Sequence, residues 1–113
     1  MFISNTLLNN LSNYCKNQTV GIVLVNAFEG VVADMTDTSD SVSWDETQVG
    51  KLQLAGDMVY SVSSGATVSG WRAVNSSDAK LFGGNLSTPI TFDSPGDFTL
   101  TSQGTYFIIV PSV

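Results

Sequence analysis

The first apolar positions of the chain recur with the period of a helix. Leu7, Leu8, Leu11, Tyr14 and Cys15 fall at i, i+1, i+4, i+7 and i+8, one stripe of a 3.6-residue repeat. The spacing predicts a short helix over Ser4 to Lys16. Ser4 or Asn5 can cap its start, Lys16 suits the negative end of its dipole, and Asn17 can end it in a left-handed turn. Three turns are not stable alone in water, so the stripe is expected to dock on something.

After Asn17 the pattern changes. Thr19 to Val25 is β-branched and nearly all apolar, which suits a strand covered on both faces. Val31-Val32-Ala33 is a shorter apolar run. Val42 and Trp44 alternate with Ser41, Ser43 and Asp45, the pattern of an edge strand. From Gly50 on, strand and turn signals follow each other at short intervals. Lys51 to Leu54 and Met58 to Ser63 alternate, and Ser63-Ser64-Gly65 turns. Thr67 to Val74 is a strand whose Gly70 marks a bulge. Asn75 to Asp78 is a loop, Lys80-Leu81-Phe82 a short strand, and Gly83-Gly84-Asn85 a turn. Pro89 opens Ile90-Thr91-Phe92, Ser94-Pro95-Gly96-Asp97 turns, and Phe98 to Thr101 alternates. Gln103-Gly104 leads into a final buried strand, Tyr106 to Val110.

About eight short strands at this spacing, with no second helical pattern, predict an all-β fold. The expected architecture is an antiparallel β-sandwich, jelly-roll-like or Ig-like, with one short N-terminal helix. Residues 1–113 make one domain: an N-terminal arm and helix over 1–17 and the sandwich over 18–113.

Composition narrows the function. Charged residues are 12% of the chain, about half the usual ~25%. In their place stand 15 serines, 11 threonines and 8 asparagines. The formal charge is −6, and the only cations are Lys16, Lys51, Arg72 and Lys80. That leaves no basic stripe for nucleic-acid phosphates and little attraction to an anionic membrane. With no histidine, Ser-His-Asp and Cys-His catalysis and His-ligated zinc are excluded. The single cysteine, Cys15, cannot form an intrachain disulfide, and its place on the helix stripe suits a small core residue. No apolar run reaches the ~18–20 residues of a membrane span. Met-Phe-Ile-Ser-Asn has no basic region ahead of an apolar one, so no signal peptide is expected and synthesis is placed in the cytoplasm.

Candidate chemistry is sparse. Asp34, Asp37, Asp40, Asp45 and Glu46 crowd one segment, which suits either a calcium loop built on Asp34, Asp37 and Asp40 or a solvated acidic loop. The spacing is not that of an EF-hand. Trp71 and Arg72 are adjacent on one strand and so face opposite sides. Trp71, among Val68, Ala73 and Val74, suits the core or a binding platform. Arg72, the only arginine, can hold a partner's carboxylate in its bidentate fork or pair with a neighbouring acid. Trp44, among polar and acidic residues, is either an interface anchor or locally packed. The Asn-x-Ser/Thr triplets at Asn17, Asn75 and Asn85 are chance matches in a chain of this composition. No catalytic residue, cofactor loop or metal constellation emerges, and the chain is expected to be a binding protein and not an enzyme.

Three segments carry a resemblance. They are Asn5-Thr6-Leu7-Leu8-Asn9-Asn10-Leu11, then Val20 to Val25, then Val68 to Ala73 with Lys80 to Phe92 and Gly96 to Leu100. In this order they resemble the small structural proteins of tailed bacteriophages, of the decoration or tail-fibre-like kind. The resemblance leaves out Phe28 to Gln48. It also departs at Asn26-Ala27-Phe28-Glu29-Gly30, where the family has a His-Thr-x-Asp-Pro segment. The resemblance implies a virion protein that binds other virion proteins: a capsid decoration or cement protein on the outer shell, whose partners are the major capsid protein and copies of itself in a dimer or trimer. Phe2 and Ile3 then become apolar anchors of the contact arm. A tail, fibre or baseplate component is the alternative, and a carbohydrate-binding module with Trp44 or Trp71 on the sugar ring is the third.

Overall fold

The computed structural model describes residues 4–45, 51–102 and 104–108, with 106–108 described by backbone alone. It is an antiparallel β-sandwich with one N-terminal helix. Helix α1 spans Asn5–Gln18. The strands are β1 (Gly21–Val25), β2 (Val31–Ala33), β3 (Trp44–Asp45), β4 (Lys51–Leu54), β5 (Met58–Val62), β6 (Thr67–Val74), β7 (Lys80–Thr91), β8 (Gly96–Leu100) and β9 (Tyr106–Ile108). A single 3-10 turn, Met35–Asp37, follows β2. The sheets run β2-β1-β6-β7, β3-β4-β9 and β5-β8.

Strand β1 lies in the middle of the large sheet and is buried along its whole length, as a continuous apolar run requires. Ile22 and Leu24 point inward beside Ala73 and Trp71, their partners on β6. Against them stand Met58, Tyr60 and Val62 of β5 and Phe98 and Leu100 of β8, with Leu54 of β4. The clean alternation of β5 appears directly as burial: Met58, Tyr60 and Val62 are inside, and Val59 and Ser61 outside. Tyr60 is fully buried, and its hydroxyl donates to the Ile22 carbonyl at 2.6 Å, tying the small sheet to the large one. Val23, Val25 and Val74 form a second apolar cluster on the opposite face of the large sheet.

Three sequence expectations change. The helix does not stop at Asn17 in a left-handed turn. It runs to Gln18 and is closed by Thr19, which stays extended and donates its N–H to Lys16 O and its hydroxyl to Cys15 O. Ser4 is the N-cap, accepting the Leu7 N–H at 3.1 Å. Gly83-Gly84-Asn85 is not a turn, because β7 continues through it. Gly83 lies opposite Arg72 and Gly84 opposite Trp71. A β-carbon at Gly83 would strike the Trp71 carbonyl oxygen, and one at Gly84 would meet the Trp71 indole nitrogen at 2.9 Å. The glycines are there for close approach to the neighbouring strand, the other use of a residue without a side chain. The register of β6 against β7 does slip between Val68 and Gly70, but the extra residues lie on β7, between Asn85 and Ile90, so the irregularity expected at Gly70 belongs to the partner strand. The last strand is described only to Ile108, and Ile109 and Val110 lie outside the described residues.

Candidate functional site

The helix stripe divides on folding. At 100° per residue, Leu8, Ser12, Cys15 and Thr19 fall on one side of α1, and Leu7, Leu11 and Tyr14 on another. The first group turns toward β4: Ser12 is buried, and Leu8, Cys15 and Thr19 are half-buried. Ser12 satisfies its hydroxyl on its own helix, donating to Leu8 O and Asn9 O. Burial pushes the Cys15 thiol above its ordinary pKa, the opposite of what a reactive thiolate needs. The second group stays in water, with Leu7 47%, Leu11 38% and Tyr14 64% exposed. The helix therefore docks by one flank and leaves most of its apolar stripe uncovered. No acidic residue precedes Glu29, and Lys16 is the only formal charge on α1.

A second construction sits on the outer face of the large sheet. Arg72 leaves β6 on the side opposite Trp71, as strand alternation requires. Its Nε and Nη2 hold both carboxylate oxygens of Glu29, at 2.8 to 3.2 Å. Nη2 also reaches Asn85 Oδ1 at 2.9 Å, and Nη1 donates to the Trp71 and Gly84 carbonyls at 2.8 and 3.0 Å. All five N–H groups of the guanidinium thus have acceptors within the chain. The fork that the sequence offered to a partner's carboxylate is occupied by Glu29. The hydrogen bond from Arg72 is the main cause that holds the Glu29 carboxyl below its usual pKa.

Glu29 belongs to the turn between β1 and β2, and that turn is closely tied. Asn26 Oδ1 accepts the N–H of Phe28 and of Gly30, both at 2.9 Å. Asn26 N–H donates to Gly30 O, and Glu29 N–H to Asn26 O. Glu29 takes a left-handed backbone, φ 64°, which any non-glycine residue adopts only when its surroundings enforce it. Phe28 stands at the tip with 93% of its surface exposed. Sequence reading passed over Phe28 because a lone aromatic in a loop carries no period. The cue was there in Asn26 and Gly30 on either side of it, both turn formers.

The remaining candidates separate. Trp71 is core, 5% exposed, packed edge-on against Phe82 at 6.1 Å between ring centroids. Trp44 is half-buried and packs on the same Phe82 at 6.0 Å, which is the local packing reading. Its buried Nε1–H meets no acceptor among the described residues. Trp71, so buried, offers no open ring face on which a sugar could stack. Asp34, Asp37 and Asp40 are not gathered around one point, and among the described residues no three acidic, cysteine or histidine side chains could hold a metal ion. Their oxygens serve the local backbone instead. Asp34 accepts the Thr36 N–H at 2.8 Å and the Thr36 hydroxyl at 2.6 Å, and Asp37 accepts the Asp34 N–H at 2.9 Å. The Thr36 hydroxyl, then its amide, draws the Asp34 carboxyl below its usual pKa. Asp40 accepts the Val59 N–H at 2.9 Å, linking this segment to β5. Glu46, Phe2 and Ile3 lie outside the described residues. Among the described residues no helix is long and apolar enough to cross a membrane.

No family model, no curated protein and no solved structure matches this chain.

Proposed function

We propose that this chain is a non-catalytic virion structural protein, a decoration or cement protein that binds the outer face of a bacteriophage capsid. The observation that carries the reading is the apolar flank of α1: Leu7, Leu11 and Tyr14 exposed side by side on a capped helix that carries no acidic residue. An apolar helical stripe at this spacing is the means by which helices seat in a groove of a partner. The sequence resemblance to phage structural proteins supplies the class of partner, the major capsid protein. The exposed stripe is small, on the order of a few hundred Å², well under the ~800 Å² per partner of a stable pairwise contact. Such a contact holds when many copies engage one lattice, and a ligand that binds only the assembled shell stabilises it by mass action. Phe2 and Ile3 precede the helix and extend the apolar arm in sequence.

The test is to label particles of the phage that encodes the chain with an antibody against it, and to measure binding of the purified protein to its shells. The expected result is label on the shell, with co-sedimentation lost in a variant carrying Leu7→Ser, Leu11→Ser and Tyr14→Ser. The helix positions are exposed, so the variant should keep the wild-type circular dichroism. Label on the tail, or full binding by the triple variant, would overturn the reading. Phe2→Ser with Ile3→Ser separates the arm from the helix: reduced occupancy assigns both to the contact, and unchanged occupancy confines it to α1.

A further inference from the structure

Beside the start of β1 lies a depression of about 330 Å³, with Val20, Val23, Met35 and Val74 as its apolar lining. A second, of about 220 Å³, adds Val31. The two share Val23, Val74, Asp34 and Asp78, so they form one trough. Val20 is 59% and Val31 51% exposed, so part of its apolar wall stands in water. Met35 is fixed in place: its Sδ accepts the Ile22 N–H at 3.5 Å, and a β-carbon on Gly21 would meet its Cγ at 2.8 Å.

The lining of this trough is negative. Asp34 and Asp78 belong to both depressions. Among the described residues the larger depression has no cation, and Lys80 in the smaller one offsets only one of the two carboxylates. The backbone holds both acids in position. Asp34 caps the 3-10 turn, and Asp78 sits at φ 61° in a loop where Asn75 Oδ1 accepts the N–H of Ser77 and of Ala79 at 2.9 and 3.0 Å. In a chain of net charge −6, an apolar trough lined by two carboxylates repels an acidic group. It complements a side chain that is apolar along its stem and cationic at its tip. Of the two such side chains, lysine fits better. Asp34 Oδ1 already accepts the Thr36 amide and hydroxyl at 2.8 and 2.6 Å. The two-oxygen face that a guanidinium fork needs is therefore taken up in part, whereas an ammonium needs a single oxygen.

We propose that this trough is the docking site for a lysine side chain of a partner protein, with the methylenes against Val20, Val23 and Val74 and the ammonium drawn to Asp34 and Asp78. The site goes beyond the virion reading and does not rest on it, since it specifies a chemistry that the partner's surface must present.

Nuclear magnetic resonance titration of the whole chain tests it, with Nα-acetyl-lysine N-methylamide as the probe. Saturable shifts are expected at the amides of Val20 to Val23, Met35, Val74 and Asp78. The norleucine analogue has a comparable apolar stem and no ammonium, so it should bind roughly tenfold more weakly. Asp78→Asn and Asp34→Asn should each weaken the lysine probe about threefold, as loss of one partly exposed charge contact does. Asparagine tolerates the left-handed backbone at position 78 and keeps an acceptor for Thr36 at position 34, so both variants should fold, with resonances away from the trough unchanged. Added salt should weaken the lysine probe and leave the norleucine one alone. No saturable shift at the trough, equal binding of the two probes, or binding untouched by both substitutions would each refute the site. So would shifts of the same amides that depend on protein concentration alone, because they would make a second copy the occupant. Labelling of the shell does not depend on any of these readings, so failure here is distinguished from failure of the virion reading.

Discussion

The guanidinium of Arg72 closes on the carboxylate of Glu29 across 43 positions of sequence, at 2.8 Å between Nη2 and Oε1. One side chain thereby joins three parts of the large sheet: β6, from which it springs, the turn between β1 and β2, and β7 through Gly84 and Asn85. With 17% of the Arg72 side chain exposed, the cluster is a clamp on the sheet's outer face and not a free binding group.

Arg72→Met keeps the length of the stem and removes every donor. The Trp71 and Gly84 carbonyls and Asn85 then lose a charged partner, and the fold should lose roughly 1–3 kcal/mol in urea denaturation. Glu29→Gln leaves an oxygen to accept from the same fork, so its global effect should be smaller. Its mark should be local: faster amide exchange at Phe28 and Gly30.

Gly83→Ala drives a methyl group into the Trp71 carbonyl, between two strands that cannot separate without breaking their ladder. A loss of roughly 1–3 kcal/mol is expected, as for other overpacked sites. Gly56→Ala, where an added β-carbon meets nothing within 4 Å, is the control and should change the denaturation midpoint little.

Tyr60→Phe removes the hydroxyl that bridges the two layers. Burial, with the nearby Asp40 and Asp34 carboxylates, holds this phenol far above its ordinary pKa, so it remains a donor throughout the accessible pH range. The variant should be destabilised by about 1 kcal/mol, the net worth of a buried hydrogen bond. Thermal unfolding of the pair measures it.

Glu29 and Asp34 contribute to the acid limb. Their folded-state pKa values lie below the ordinary 4.5 and 3.8. A depressed carboxyl favours the fold fully above its unfolded pKa, and that contribution is lost as pH falls through the folded value. No histidine titrates in the neutral range. The urea midpoint should therefore stay level from about pH 8 to about pH 5.5 and fall below about pH 4.5. In Glu29→Gln the fall should be shallower, and the Phe28 and Gly30 amide resonances should no longer shift over that limb.

Much of this architecture was legible in the residues. Alternation in Lys51–Leu54, Met58–Val62 and Phe98–Leu100 fixed which side chains went inside, because a strand turns each successive residue to the opposite face. The unbroken apolar run before Val25 marked the strand buried on both faces, and Ser4 marked the start of the helix. Gly83 and Gly84 were misleading, since a glycine pair signals a turn as readily as a close crossing. Only the indole and carbonyl of Trp71, brought opposite by pairing of β6 with β7, distinguish the two.

From its sequence alone, then, this protein was determined as an all-β domain with a capped N-terminal helix, no histidine and no pair of cysteines for an intrachain disulfide, because periodicity and composition are properties of the chain itself. The fold decided that Arg72 would be taken up by Glu29, that Leu7, Leu11 and Tyr14 would be left in water while Leu8 and Cys15 turned to the body, and that Phe28 would be held out at a rigid tip. Those outcomes depend on which surfaces meet across long separations in sequence, and a local pattern of polar and apolar residues cannot specify which of its faces a distant strand will cover.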